Sequence, residues 1–429
     1  MYYLGKVFNA NGEIQAQGIQ VEEGKVTRLL SKRDADQIRR QEASEDAETA
    51  AFITPGLVDL HCHGGGGYAF PDNYAPEQIE TAILTHRKRG TTAMFASLVS
   101  LADPMPQIEA LLPFCESGDL AGIHLEGPYV SKAKCGAQNP DVIRAVDRGE
   151  LEHWLKAAGG YIKTITIAPE AEGALDALPV LAAYGAKPSW GHTSGTGAQA
   201  AAALEATVRA YDAHGQASGE AAPGHGTAET AQDAPDMPHC SDMRAGDPAQ
   251  TVTHLFNGMI AVTHRAPGPV REFVQAARVG TTVCEMIADG QHLNLDLVED
   301  LVEYLDDPHR AGALFVTDAI GAAGMGEGRY TLGGLEVEVK DGACWLVHKD
   351  SLAGGASLLA DQFHLIASRG RIPLEAIIRA TIGTPIRGGS VWDAPGVTTE
   401  FKPGQRANLI AWNEEYAPQT VIREGTKVQ

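Results

Sequence analysis

Eight short, almost wholly apolar runs recur along the middle of the chain, at 53–60, 91–99, 120–125, 161–167, 186–191, 250–256, 281–288 and 312–317. Stretches with helical period lie between several of them, such as 76–89 and 296–306. A strand that is apolar on both faces belongs in a parallel sheet covered by helices on each side. Eight such units in succession fit a closed TIM-like (β/α)8 barrel better than an open sheet. The fold class expected is therefore α/β.

The ends of the chain read differently. Residues 18–29 look like a hairpin turning at Glu23-Gly24, 31–50 like a polar surface segment, and 402–412 like strands again. The two termini, 1–53 and 391–429, are expected to pair as a small β-sandwich domain beside a barrel spanning 54–390. Residues 329–350 carry a further alternating stretch, and 357–383 look helical. Residues 213–249 are poor in large aliphatics and read as a flexible surface insertion. Its His214, His225, His239 and Cys240 fit low-complexity surface composition better than a metal site.

Charge and cysteine usage narrow the function classes. Lys plus Arg is 34 against Asp plus Glu 55, a formal net charge of -21. That disfavours nucleic acid and anionic membrane as partners. The chain has no apolar run of about 18 residues and no leader-like N-terminus, so neither a membrane span nor export is expected. Six cysteines without a C-x-x-C pair fit free thiols in a reducing, cytoplasmic setting.

Chemistry is concentrated where the apolar runs end. His61-Cys62-His63 follows Leu57–Leu60, and residues two apart on a strand share a face, so the two imidazoles converge while Cys62 points away. Glu126, His192, His254 and Asp318 close four later runs. In a barrel all strand C-termini open at one face, where catalysis takes place. The intervals His63–Glu126, Glu126–His192 and His254–Asp318 each equal about two β-α units of roughly 30 residues. Allowing for the insertion, the set falls on strands 1, 3, 5, 6 and 8. Any one of these residues reads equally well as a satisfied polar group at a strand exit. Nitrogen and oxygen donors without thiolate suit Zn, Fe, Co or Mn.

Read together, Pro55-Gly56-Leu57-Val58-Asp59-Leu60-His61-Cys62-His63, His124-Leu125-Glu126-Gly127-Pro128, Gly191-His192-Thr193, Thr253-His254-Leu255-Phe256-Asn257-Gly258, Ala288-Asp289-Gly290-Gln291-His292 and Thr317-Asp318-Ala319 resemble the amidohydrolase superfamily. Within it they resemble the N-acetylglucosamine-6-phosphate deacetylase family. The resemblance implies a metal-dependent hydrolase that releases acetate from N-acetyl-D-glucosamine 6-phosphate, in amino-sugar catabolism. It implies one or two divalent ions per subunit, zinc first, and a homodimer. Glu126, His192 and His254 would hold the principal ion with Asp318 beside it, and His61 and His63 a second ion bridged by Glu126. Asp318 would be the general base, and His292 would polarise the acetyl carbonyl. Substrate contacts map to Ala137, Gln138, Asn257, Gly258, Arg265, His292, Leu352, Ala353 and Gly354. Arg265 is the phosphate contact, and in a dimer it would serve the neighbouring subunit.

The chain departs from the family pattern in places. Gln138 stands where His is common, Ala266 replaces Glu in the H-R-x-P-G run, and Asn257-Gly258 replaces Asn-Ala. Cys135 reads as an ordinary loop thiol. Alternatives are another amidohydrolase, such as a cyclic-amide hydrolase or a deacetylase of a related sugar phosphate, and a non-catalytic sugar-phosphate scaffold.

Overall fold

The computed structural model describes residues 1–40, 46–217, 243–347 and 351–429. Eight parallel strands follow one another in chain order: Leu57–Asp59, Thr91–Val99, Gly122–Glu126, Ile162–Ile167, Lys187–Trp190, Thr251–Val252, Val283–Met286 and Ala313–Phe315. Every residue of these strands is buried, as a sheet covered on both faces requires. The eighth strand returns to the first just beyond their ends. There Asp318 N–H donates to the His61 carbonyl at 2.8 Å and His63 N–H to the Ala319 carbonyl at 2.7 Å. These bonds draw the ring of strands together at its C-terminal face.

The outer helices form for local reasons. Pro76–Arg87 starts on a proline, whose fixed φ and missing N–H suit a first turn. Its Ile79, Ala82, Ile83 and His86 make one buried stripe. Leu295–Leu305 is capped by Asn294, which accepts from Asp296 N–H, and buries Val298, Leu301, Val302 and Leu305. Residues 357–383 form Leu359–Arg369 and Leu374–Ile378, followed by a π turn at Arg379–Gly383. Helix Gly197–Ala217 runs into the start of the 213–249 segment and includes His214. His225, His239 and Cys240 lie outside the described residues.

The apolar run at 53–60 serves two sheets. Ala47–Pro55 belongs to a seven-stranded sheet built from both termini, and Leu57–Asp59 opens the barrel. The break falls at Gly56, where a Cβ would lie 1.9 Å from Thr92 Oγ1. Within 31–50 the chain forms the helix Lys32–Arg40 and enters that terminal strand. The terminal sheet curls so that its two ends meet. Lys25 bridges Arg406, and Val26 N–H donates to the Gln405 carbonyl at 2.8 Å. Tyr3, Val7, Ile19, Phe401 and Leu409 fill its interior. Phe52, Phe363 and Trp412 stack where this sheet meets the barrel, with centroids 4.4 to 6.2 Å apart. Each such pair adds about 0.5–1.5 kcal/mol beyond area burial.

After the eighth strand comes a three-stranded antiparallel sheet, Gly328–Leu332, Leu335–Lys340 and Ala343–Leu346. Asp72 fastens its first turn by accepting from Gly333 and Gly334 N–H, both at 2.7 Å. No helix among the described residues is long and apolar enough to cross a membrane.

Candidate metal centre

The six strand-end residues converge. Glu126 is the last residue of the third strand, and its carboxylate stands between the His61–His63 and His192–His254 pairs. Oε1 lies 2.8 Å from His192 Nε2 and 2.9 Å from His254 Nε2. Oε2 lies 3.2 Å from His63 Nε2. Asp318 Oδ1 lies 3.2 Å from His63 Nε2 and 3.4 Å from His61 Nε2. Two compact donor groups result: His61, His63 and Asp318 form one, and Glu126, His192 and His254 the other. Cys62 is turned out of the centre, with Sγ against His86 and the Gly64 carbonyl.

His192, His254 and Asp318 all have positive φ, at 44°, 24° and 47°. Non-glycine residues are held in this region only by surrounding structure. The strain turns their side chains inward directly after extended strands. Gly258 is needed at one such place, because at its φ of 61° a Cβ would lie 2.8 Å from His192 Nδ1.

The donor set fits a cation. Nitrogen and oxygen ligands about 2.0–2.2 Å from a tetrahedral ion sit roughly 3.3–3.5 Å from one another. The spacings here run from 2.8 to 3.7 Å. The four imidazoles meet through Nε2, and His61 and His63 approach each other through that atom at 3.1 Å. Asp59, Glu126, Glu285 and Asp318 are buried carboxylates, and among the described residues none has a Lys or Arg partner in an ion pair. Burial alone would depress both imidazoles of the first pair. Asp318 and Glu285 nonetheless carry His61 up to about 10, and hydrogen bonds to Asp318 and Glu126 carry His63 up to about 8. Burial would raise Asp318, but His61 and His63 hold it below the usual carboxylate range. Positive charge is what this cluster of acids draws.

A cavity of about 270 Å³ opens above the centre. Ala137, Gln138, Asn257, Gly258, Leu352 and Gly354 line it, together with His292. Two expected contacts lie elsewhere. Ala353 is fully buried in the apolar cluster beside the three-stranded sheet, and Arg265 is on an exposed stretch of its own chain. Cys135 is partly exposed and does not line the cavity.

Several supporting residues escaped the sequence reading. Asp289 Oδ2 accepts from His292 Nδ1 at 2.9 Å, and its Oδ1 accepts from His292 N–H. Burial would lower His292, but this carboxylate raises it. Ser100 donates from both N–H and hydroxyl to Gln138 Oε1, which leaves Nε2 facing His192 at 3.3 Å. Glu285 accepts from His61 Nδ1 at 3.1 Å. Its sequence signal is a lone acid within the apolar run 281–288.

The amidohydrolase family pattern matches residues 52–220. An N-acetylgalactosamine-6-phosphate deacetylase of Escherichia coli O157:H7 is 26% identical over 384 residues, covering 88% of this chain and 87% of that one. An N-acetylglucosamine-6-phosphate deacetylase of Vibrio furnissii is 26% identical over 389 residues, covering 88% and 82%. The structure superposes on an N-acetyl-D-glucosamine-6-phosphate deacetylase from Mycobacterium smegmatis, solved with N-acetyl-D-glucosamine-6-phosphate, with a TM-score of 0.80. That pair is 27% identical and covers 100% of this chain and 99% of the other. The family implies a divalent metal, which the two donor groups suit. Barrel, buried donor set and relatives agree in their likeness to the amidohydrolase family.

Proposed function

We propose that this chain is a metal-dependent deacetylase that hydrolyses the acetamide of N-acetyl-D-glucosamine 6-phosphate to D-glucosamine 6-phosphate and acetate. The observation that carries the reading is one cavity lined by His63, Glu126, His192, His254, Asp318 and the Asp289-backed His292. Its size, about 270 Å³, suits a small ligand. The deacetylase names of the relatives supply the substrate class.

Glu126, His192 and His254 would hold one ion beside Asp318, and His61 and His63 a second, with Glu126 between them. Zinc is the first choice for such nitrogen and oxygen donors, with Fe, Co and Mn also suited. A divalent ion there supplies Lewis-acid chemistry, lowering the pKa of water and polarising an amide carbonyl. The side chains do the rest. Asp318, ionised between two imidazoles, takes a proton from the attacking water and delivers it to the departing nitrogen. His292 has committed Nδ1 to Asp289, so its other ring nitrogen is the one left to donate to the oxygen of the tetrahedral intermediate. Gln138 presents its amide N–H to the sugar, because Ser100 holds its oxygen. Leu332 and Leu352 form apolar wall.

Among the described residues, no Lys or Arg lines the cavity. Exposed Arg265 then contacts phosphate from a second copy of the chain, where a guanidinium fork matches the phosphate oxygens. The reading takes a homodimer as the working unit and, with six cysteines and no C-x-x-C pair, a cytoplasmic setting. The E. coli relative favours a second substrate, N-acetylgalactosamine 6-phosphate. The test is acetate release from both phosphosugars and from unphosphorylated N-acetylglucosamine, with metal content measured on the same sample. Release from a phosphosugar alone is expected. No release from any of them by the metal-loaded protein would overturn the reading.

A further inference from the structure

Glu285 lies in the seventh barrel strand, Val283–Met286, and is 2% exposed. A single oxygen, Oε2, accepts two hydrogen bonds: from His61 Nδ1 at 3.1 Å and from His254 N–H at 3.3 Å. These two residues belong to opposite halves of the centre. Among the described residues, the only ion-pair partner of Glu285 is His61. Removing a carboxylate from water costs several kcal/mol unless charge or hydrogen bonds answer it. Here the charge in that answer comes from one imidazole, and the His254 N–H adds a hydrogen bond.

The other ligand imidazoles are backed differently. His63 Nδ1 meets the Ser97 carbonyl at 3.0 Å, and His192 Nδ1 meets the Lys134 carbonyl at 2.7 Å. His254 Nδ1 is buried without a hydrogen-bond partner. Among the described residues, His61 alone of the four has a carboxylate behind its Nδ1. A neutral acceptor fixes the tautomer and aims the Nε2 lone pair outward. A carboxylate does that and also makes the imidazole a stronger donor toward a cation. The difference falls on the His61–His63 half, where Asp318 and Glu126 stand 3.2–3.4 Å from the imidazoles, farther than the 2.8–2.9 Å that Glu126 keeps to His192 and His254.

We propose that Glu285 is a positioning residue that sets the occupancy of the His61–His63 half of the centre, so that the chain retains two divalent ions rather than one. The inference rests on the metal-dependent reading above. It assigns Glu285 no contact with substrate.

The test uses the full chain, stripped with a chelator and titrated with Co²⁺ while visible absorption is followed. Ions per chain are counted after gel filtration. The wild-type protein should retain two ions. E285Q keeps an acceptor for His61 Nδ1–H but not the charge. It should bind one ion unchanged and the other about 10- to 100-fold more weakly. In a His61→Asn background E285Q should add no further loss, because Glu285 acts through His61. Wild-type saturation at one ion, two unchanged ions in E285Q, or loss of both there would each overturn the proposal. So would an added loss in the His61→Asn background. If E285Q does not fold, as judged by circular dichroism, E285D tests the same bond across a wider gap. It should weaken one ion and spare the other, and unchanged binding of both would overturn the proposal. Failure here is distinguishable from failure of the deacetylase reading. An active wild-type enzyme whose variants keep both ions defeats only the role of Glu285. An inactive one that loses a single ion in E285Q defeats only the deacetylase.

Discussion

Replacing His86 with glutamine should make the fold less sensitive to mild acid. His86 is fully buried on the inner stripe of the helix Pro76–Arg87. Its Nε2 donates to the Gly64 carbonyl at 2.8 Å, while Nδ1 has no hydrogen-bond partner. Burial pushes this imidazole down to about 4, against smaller upward pulls from the Gly64 carbonyl and Asp361. In the unfolded chain it titrates near 6.5. Between these values the unfolded chain binds a proton that the folded one refuses, so acid favours unfolding. The contribution of His86 to stability is whole above about pH 6.5 and is lost as pH falls toward about 4. The full span is about 3.4 kcal/mol at 1.36 kcal/mol per unit. Between pH 7.5 and 5.0 the share is about 2 kcal/mol. Glutamine can still donate to Gly64 but does not titrate. Urea unfolding of both proteins at the two pH values, with metal held constant, reads the difference. Wild type should lose about 2 kcal/mol more than His86→Gln. Equal losses would refute the assignment of a neutral, buried His86.

Other perturbations follow from the same geometry. Asp318→Asn should cut acetate release by about 10²–10⁴-fold while metal content is retained, and near-wild-type turnover would remove Asp318 as the base. Asp289→Asn should lower kcat by about tenfold or more with little change in KM, because His292 loses the carboxylate that orients it. Arg265→Ala should raise KM for the phosphorylated sugar by about tenfold or more and leave the unphosphorylated sugar unaffected, as loss of a charge-assisted hydrogen bond requires. Gly56→Ala should lower stability by about 1–3 kcal/mol in thermal melts, because its Cβ meets Thr92 Oγ1 at 1.9 Å.

Much of the candidate centre was legible because polar residues at barrel strand ends leave a linear trace. His61 and His63 share a face by strand period alone, and Cys62 opposes them for the same reason. Glu126, His192, His254 and Asp318 each close an apolar run, so periodic spacing could place them together before any coordinates existed. What spacing could not reach were residues whose partners are distant in sequence. Glu285 meets His61 across 224 positions, and Gln138 meets Ser100 across 38. Ala353 shows the limit of transfer by motif: it sits in a family-like segment, yet it is buried away from the cavity.

The chain by itself determined the alternation of apolar strands and amphipathic helices, and with it the barrel and the face on which polar strand ends gather. These depend on local period and burial, which sequence records directly. Only the tertiary structure decided that the run at 53–60 is shared by two sheets and that the two ends of the terminal sheet meet through Lys25 and Arg406. It also decided that one buried carboxylate stands behind one particular imidazole. Contacts of that kind are set by how closed strands bring remote side chains within a few ångströms. No linear pattern carries that distance.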